Sequence, residues 1–306
     1  MNLRQLEYFV RIAELGSFSR AALVLGIAQP ALSRQLRLLE ADLGTPLLQR
    51  TGRGAIPTEA GARLLAHASG ILRLTAAARE DLATDRGEPT GRIVIALPPS
   101  MARLLTLRLV EGFRDTLPRA RLAVVEGLST HIGEWIATGR VDLGLMLNPA
   151  PLAAIETRPI LDEPLCLISP APTRRAAAPV ASLPFAELPR FPLVIPEPMH
   201  VIRKLIEAEA ARAGLQLNIA WEISGVPAIL ELVRTGHGHA VLTEGAVRAS
   251  GQAATAFRLR PITAPDLLSR LCLALPARKP LSTLTRAAMG LLEGLARAHA
   301  GPDIDP

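Results

Sequence analysis

The spacing of hydrophobic positions along the chain changes character near residue 90. Before that point it is helical. Leu3, Leu6, Val10 and Ala13 recur at helical spacing and stop at Gly16, predicting an amphipathic helix. Ala21, Ala22 and Leu25 predict a short second helix, capped by Ser17 or Ser19 and followed by a turn at Gly26. Leu32, Leu36, Leu39 and Leu43 then fall at i, i+4, i+7 and i+11, one apolar stripe on a third helix that Gly44 ends. Opposite the stripe lie Pro30, Ser33, Arg34 and Arg37, with no acidic side chain among them. Pro30 fits there because it stands in the first turn, where its missing N–H would lack a partner anyway. Arg50, Gly52, Arg53 and Gly54 follow as a basic loop. Thr58 can cap a fourth helix that runs to about Arg86, with Glu59 at the positive end of its dipole. Along it Leu64, Ala68, Ile71, Thr75, Ala78 and Leu82 form a heptad-like seam poor in leucine. Such a seam predicts either a dimerising linker or a helix packed on its own domain.

Residues 87–91, GEPTG, read as a hinge by their Gly and Pro content. Strands and helices alternate after it. IVIAL (93–97) has the continuous apolar character of a buried parallel strand. A helix over about 100–113, a strand at 121–127, a helix at 129–138 and a strand at 141–147 complete the first unit. LVI (193–195), a helix at 198–213, a strand at 217–223, a helix at 226–235 and HAVL (239–242) follow. LSTHIGEWIATGRVDLGLML and GVPAILELVRTGHGHAVLTE both run cap, helix, Gly, strand, an internal echo that predicts two similar α/β lobes.

The order helix, short helix, Gly-containing turn, then a longer helix with a polar outer face is that of a helix-turn-helix. Its chemistry suits double-stranded DNA. Gln29 can pair with adenine and Arg34 or Arg37 with guanine in the major groove. Arg50 and Arg53 suit the backbone or the minor groove, and Ser17 and Ser19 suit phosphate. SFSRAALVLGIAQPALSRQLRLLEADLGTPLLQRTGRGAIPTEAG resembles the winged helix-turn-helix of LysR-type transcriptional regulators, a long and specific match. Within that family MNLRQLEYFV, RTGRGAIPTEAG and ITAPDLLSRLCLALPARKPLS are most similar to the nitrogen assimilation control branch. The resemblance implies that Gln29, Pro30, Ser33 and Arg34 are recognition positions. It implies a fold of α/β class with an all-α N-terminal part: a winged helix-turn-helix (1–58), a linker/dimerisation helix (59–87) and an effector domain (88–306). The last resembles two-lobed periplasmic binding proteins, with one lobe at about 92–163 and 268–306 and the other at 164–267. Leu48 stands where the family usually has Phe, and Thr243 where it usually has Pro.

Composition sharpens this only slightly. A net charge of +6 and a pI near 10.4 favour a polyanionic partner. Yet residues 1–60 hold seven arginines against five acids, so placement matters more than the sum. All but two of the 34 basic residues are arginine, the exceptions being Lys204 and Lys279. No run reaches the roughly 18 apolar residues of a membrane span, and Arg4 and Glu7 rule out a signal peptide at the start. The expected setting is the cytoplasm of a prokaryote, without a membrane. The expected partners are promoter DNA, a second copy or three further copies of the chain, RNA polymerase and a small organic effector.

Open α/β lobes bind ligands at the carboxyl ends of their strands, where helix N-termini donate N–H groups. The positions concerned are Ser100 and Met101, Ser129, Thr130 and His131, Pro196 to His200, and Ser224 to Val226. Helix-end donors suit a small anion. Each residue has an ordinary alternative as a cap or turn residue, and the resemblance leaves room for a regulator controlled by abundance or oligomeric state. No cofactor, metal site or catalytic set is expected. His237-x-His239 alone has too few ligands for a metal, Gly236-His-Gly238 lacks the third glycine of a dinucleotide fingerprint, and no G-x-S-x-G occurs. Cys166 and Cys272, in LCLIS and LCLAL, fall on the segments expected to cross between lobes. They read as buried reduced thiols or, alternatively, as a redox pair. Two rival functions remain: a binding protein or enzyme on the same scaffold, which leaves 1–58 unexplained, and an architectural DNA protein, against which the Gln29/Ser33/Arg34 face argues.

Overall fold

The computed structural model describes residues 1–51, 54–83, 89–171, 181–277 and 281–299. Three helices, α1 (Leu3–Leu15), α2 (Phe18–Leu25) and α3 (Gln29–Leu43), precede a two-stranded antiparallel wing, β1 (Leu48–Thr51) and β2 (Gly54–Pro57). Local chemistry sets their ends. Asn2 and Gln5 form a capping box on α1, and Ser17 caps α2 by accepting the N–H of Arg20. Gly16, Gly26 and Gly44 close the three helices in the left-handed conformation. Leu6, Phe9, Ile12, Leu32, Leu36 and Leu39 meet in one core, which Leu47 and Leu48 enter from the wing. Leu48 therefore fills its site as an aliphatic side chain. Leu43, the last of the expected stripe, is 38% exposed.

Helix α4 (Glu59–Ala83) starts where Thr58 accepts the N–H of Gly61 at 3.0 Å. The heptad-like seam is divided. Leu64 and Ala68 pack into the core of the N-terminal part, whereas Ile71 and Ala78 are exposed. The side chains of Arg50 and Leu82, residues 84–88 of the expected helix end and hinge, and Arg53 of the wing lie outside what is described.

The remainder is built on β3 (Gly91–Leu97), α5 (Pro99–Thr116), β4 (Ala120–Glu126), α6 (Ser129–Ala137), β5 (Leu143–Leu147) and β6 (Ile155–Pro170). Then come β7 (Leu183–Pro184), β8 (Leu193–Ile195), α7 (Val201–Ala213), β9 (Ile219–Glu222), α8 (Val226–Arg234) and β10 (Ala240–Thr243). The chain ends with α9 (Glu244–Ala249), β11 (Phe257–Thr263), β12 (Leu268–Pro276) and α10 (Thr283–His299). The central parallel strand β3 shows why its sequence is unbroken. Ile93, Ile95 and Leu97 face α5 and α10, while Val94 and Ala96 face α6, so both faces are covered.

Strand β6 is long enough to serve two sheets. Its first part pairs antiparallel with β12, within the order β4-β3-β5-β12-β6. Its second part pairs with β10 and β11. One core gathers side chains from Leu165 to Leu267, and two others gather residues before 161 and after 270. The internal echo corresponds to α6 with β5 and α8 with β10, each joined through a glycine at positive φ, Gly139 (73°) and Gly236 (82°). Thr243 caps α9, its hydroxyl accepting the N–H of Ala246 at 3.1 Å.

Candidate DNA-binding and effector sites

The N-terminal half of α3 stands clear of its own domain. Gln29, Pro30, Arg34 and Arg37 are exposed, and among the described residues neither arginine has an ion-pair partner. Ser33 is different. It is buried at 8% exposure beside Leu32 and Leu36, because its position lies at the edge of the apolar stripe rather than opposite it. Ser19 is exposed, whereas the Ser17 hydroxyl is engaged in capping α2. The wing is tied to α3 by Glu40, whose Oε1 accepts the N–H groups of Leu47 at 2.8 Å and Leu48 at 3.2 Å. That tether was not singled out from the sequence; an acid four residues before a closing glycine carries no distinctive signal.

A cleft of about 780 Å³ opens between the two α/β lobes. Ser100, Ser129, Thr130, His200, Ser224 and Val226 all line it. Three expected residues do not. Met101 is buried under α5 in the lobe core. His131 stacks on Trp135, four residues on along α6. Pro196 is buried, and its carbonyl accepts from Nη1 of Arg203 at 3.1 Å. Periodicity explains the first two, since neighbours on a helix point about 100° apart.

The cleft combines helix ends with apolar walls. The N-termini of α5, α6 and α8 have no side-chain cap, and each starts at the cleft wall. Their first N–H groups lack intrahelical acceptors, the arrangement that favours an anion. Ser129 also accepts the N–H of Leu147 at 2.9 Å, fixing the start of α6 to the end of β5. His200 caps α7, its Nδ1 accepting the N–H of Ile202 at 3.3 Å. Burial holds its imidazole below the usual histidine pKa, with Glu197 opposing in part. Met146, Leu152, Ile155, Met199 and Pro227 supply apolar surface, and Arg103 and Lys204 add positive charge against Glu126 and Glu134. The Nδ2 of Asn148, another lining residue, is buried with no hydrogen-bond partner among the described residues.

The two cysteines are not neighbours. Cys272 pairs in register with Pro159 and Met146, and Cys166 with Leu242 and Pro261. Seven residues of β6 between Pro159 and Cys166 correspond to roughly 23 Å. Burial pushes the Cys166 thiol up to about 11 and raises Cys272 as well, so both favour the unreactive protonated form.

Residues 3–62 match the bacterial regulatory helix-turn-helix proteins of the lysR family, and residues 86–297 match the LysR substrate binding domain. The chain belongs to the LysR family of transcriptional regulators. It is 34% identical over 298 residues to the nitrogen assimilation regulatory protein nac of Klebsiella aerogenes, covering 96% of this chain and 95% of that one. The nac protein of Escherichia coli strain K12 is 31% identical over 293 residues, covering 95% and 94%. A full-length OxyR variant from Pseudomonas aeruginosa has the same fold, with a TM-score of 0.76 at 24% identity over 100% of this chain and 99% of that one. Full-length CbnR in complex with its target DNA gives 0.64 at 21% identity over 98% and 100%. This LysR protein is thus a DNA-binding regulator and not an enzyme. Among the described residues no helix is long and apolar enough to cross a membrane, and no group of three or more metal-binding side chains occurs.

Proposed function

We propose that this LysR regulator reads promoter half-sites with Gln29, Pro30, Arg34 and Arg37 in the major groove, while the wing, with Arg50 and Arg53, follows the backbone or minor groove. The observation that carries this is the exposed, acid-free outer face at the start of α3, held at a fixed angle to the wing by Glu40. Ser33 supports the face from beneath, and Ser17 orders α2 so that Ser19 can meet phosphate. Residues 1–58 form the DNA-binding domain, 59–87 the linker helix and 88–306 the regulatory domain. The exposed Ile71, Leu74 and Ala78 on α4 suit pairing with a second copy, giving a homodimer or, through the regulatory domains, a homotetramer. RNA polymerase is the partner through which a promoter-bound regulator in the cytoplasm acts.

The inter-lobe cleft takes a small organic anion, its charge on the uncapped ends of α5, α6 and α8 and its body on the apolar wall. Ser100, Ser129, Thr130, His200, Ser224 and Val226 contact it. Arg34 decides the DNA reading. Arg34→Ala is expected to cost about 1–3 kcal/mol of discrimination on a duplex selected in vitro, with little loss on random DNA. Equal losses on selected and random duplexes would overturn this assignment of Arg34.

A further inference from the structure

Helix α6 has one end in the cleft and the other against the linker helix. Ser129 and Thr130, its first residues, line the cleft. Its nine residues span about 13 Å and end at Ala137, after which Thr138, Gly139 and Arg140 turn against α4. The contact has no slack. A Cβ added at Gly70 of α4 would lie 2.1 Å from the Thr138 carbonyl oxygen, and one at Gly139 would lie 3.1 Å from the Gly70 Cα. Glycine weakens a helix interior relative to alanine, so Gly70 within the 25-residue α4 is explained by this seat rather than by helix formation.

One turn further along α4, Arg73 donates from Nη1 to the Arg140 carbonyl. Its Nε and Nη2 are buried with no hydrogen-bond partner among the described residues. Burial, only partly offset by Asp142, draws its guanidinium down to about 10. A cation held this way is satisfied in part only, and its environment changes with any small displacement of the turn. Between its two ends α6 is packed as one piece. Ser129 ties its start to Leu147, and Ile132, Gly133 and Ile136 are buried. A Cβ at Gly133 would lie 3.3 Å from Met146 Cε, so a shift at the cleft end carries the whole helix.

We propose that α6 transmits occupancy of the cleft to the linker helix, with Gly70 and Arg73 of α4 as the positioning residues of the seat. A ligand that engages Ser129 and Thr130 displaces α6, and the Thr138–Arg140 turn then displaces α4 and the DNA-binding domains it carries. The proposal rests on the reading of residues 1–58 as the DNA contact and of the cleft as the effector site. Coupling of this kind is reciprocal, so DNA must act on the cleft as the ligand acts on DNA.

That reciprocity permits a test without an identified effector. Full-length protein carrying Thr130→Cys would be labelled with a polarity-sensitive bimane; the two native thiols are buried. A dye-labelled duplex selected in vitro against the unsubstituted protein reports binding by anisotropy in the same cuvette. DNA is expected to shift the bimane emission with the native linker. In Gly70→Leu and Arg73→Ala, affinity for DNA should stay within about threefold while most of the emission shift is lost, and Arg73→Lys should restore part of it. A silent bimane on a protein that binds DNA would overturn the proposal, as would a full shift in Gly70→Leu and Arg73→Ala. Absence of any anisotropy change would instead refute the DNA-binding reading and the proposal with it.

Discussion

Glu40 joins two elements that no apolar contact could orient so closely. Its Oε1 accepts the N–H groups of Leu47 and Leu48 at the point where the chain leaves α3 for the wing. Both donors belong to residues buried in the domain core, so removing the acceptor leaves two backbone groups short of partners. Glu40→Ala is therefore expected to destabilise the DNA-binding domain by about 1–3 kcal/mol, measured by urea denaturation. Glu40→Gln, which keeps a neutral acceptor, should fall between. No change in the unfolding midpoint of Glu40→Ala would show that water replaces the carboxylate. The same scale shows what sequence can and cannot give. Arg34 and Arg37 were legible as outward because their spacing opposes the leucine stripe. Ser33 was not, because it stands at the edge of the leucine stripe, where spacing alone does not set how far burial extends.

At the scale of elements, glycines and caps carried most of what the sequence revealed. Gly16, Gly26 and Gly44 each end a helix where the pattern places the stop. The echo of α6–β5 in α8–β10 was legible because both units need a glycine at positive φ between helix and strand. Helices α9 and α10 went unread. Helix α9 is only six residues long, too short to show a period. Leu284, Ala288, Leu292 and Ala296 of α10 do keep a four-residue step, but its alanines weaken the contrast between faces. Helix α7 has a chemical start of its own, the His200 N-cap. Because the folded protein holds this imidazole below its usual pKa of 6.5, the unfolded chain binds the proton more readily. The contribution of the cap is fully present above about pH 6.5 and is lost as pH falls toward the depressed folded value. Protonation turns Nδ1 into a donor and breaks its bond to Ile202. His239, lowered by burial and by Arg260, acts in the same direction. His200→Asn keeps a capping oxygen without a proton to gain. Its unfolding free energy should therefore fall less steeply between about pH 7 and 5 than that of the parent. Parallel pH profiles would remove the cap from this account.

Over the whole molecule, the regulatory domain is two separately packed lobes held together by β6 and the Leu267–Pro276 segment. The core that runs from Leu165 to Leu267 shares no buried side chain with those built on β3. Ser100, Ser129 and Thr130 stand on one side of the cleft, and His200, Ser224 and Val226 on the other. A ligand that contacts both sides adds contacts that unfolding of either lobe destroys. It therefore stabilises the folded chain by mass action, by about 2.7 kcal/mol at a hundredfold excess over its dissociation constant. A thermal-shift series of the full-length protein with aliphatic and aromatic carboxylates, their amides, and inorganic phosphate separates the parts of the cleft. Carboxylates are expected to raise the melting temperature and their uncharged amides to do so far less, since the uncapped helix ends favour charge. Phosphate alone should also do little, because it leaves the apolar wall wet. Thr130→Val should weaken the carboxylate response without shifting the unliganded melt by more than about 1 kcal/mol, as befits an exposed first-turn residue. If amides match the carboxylates, the helix ends are not the binding determinant. If no compound of any class shifts the melt while the protein still protects its selected duplex, control lies with its abundance or its assembly instead.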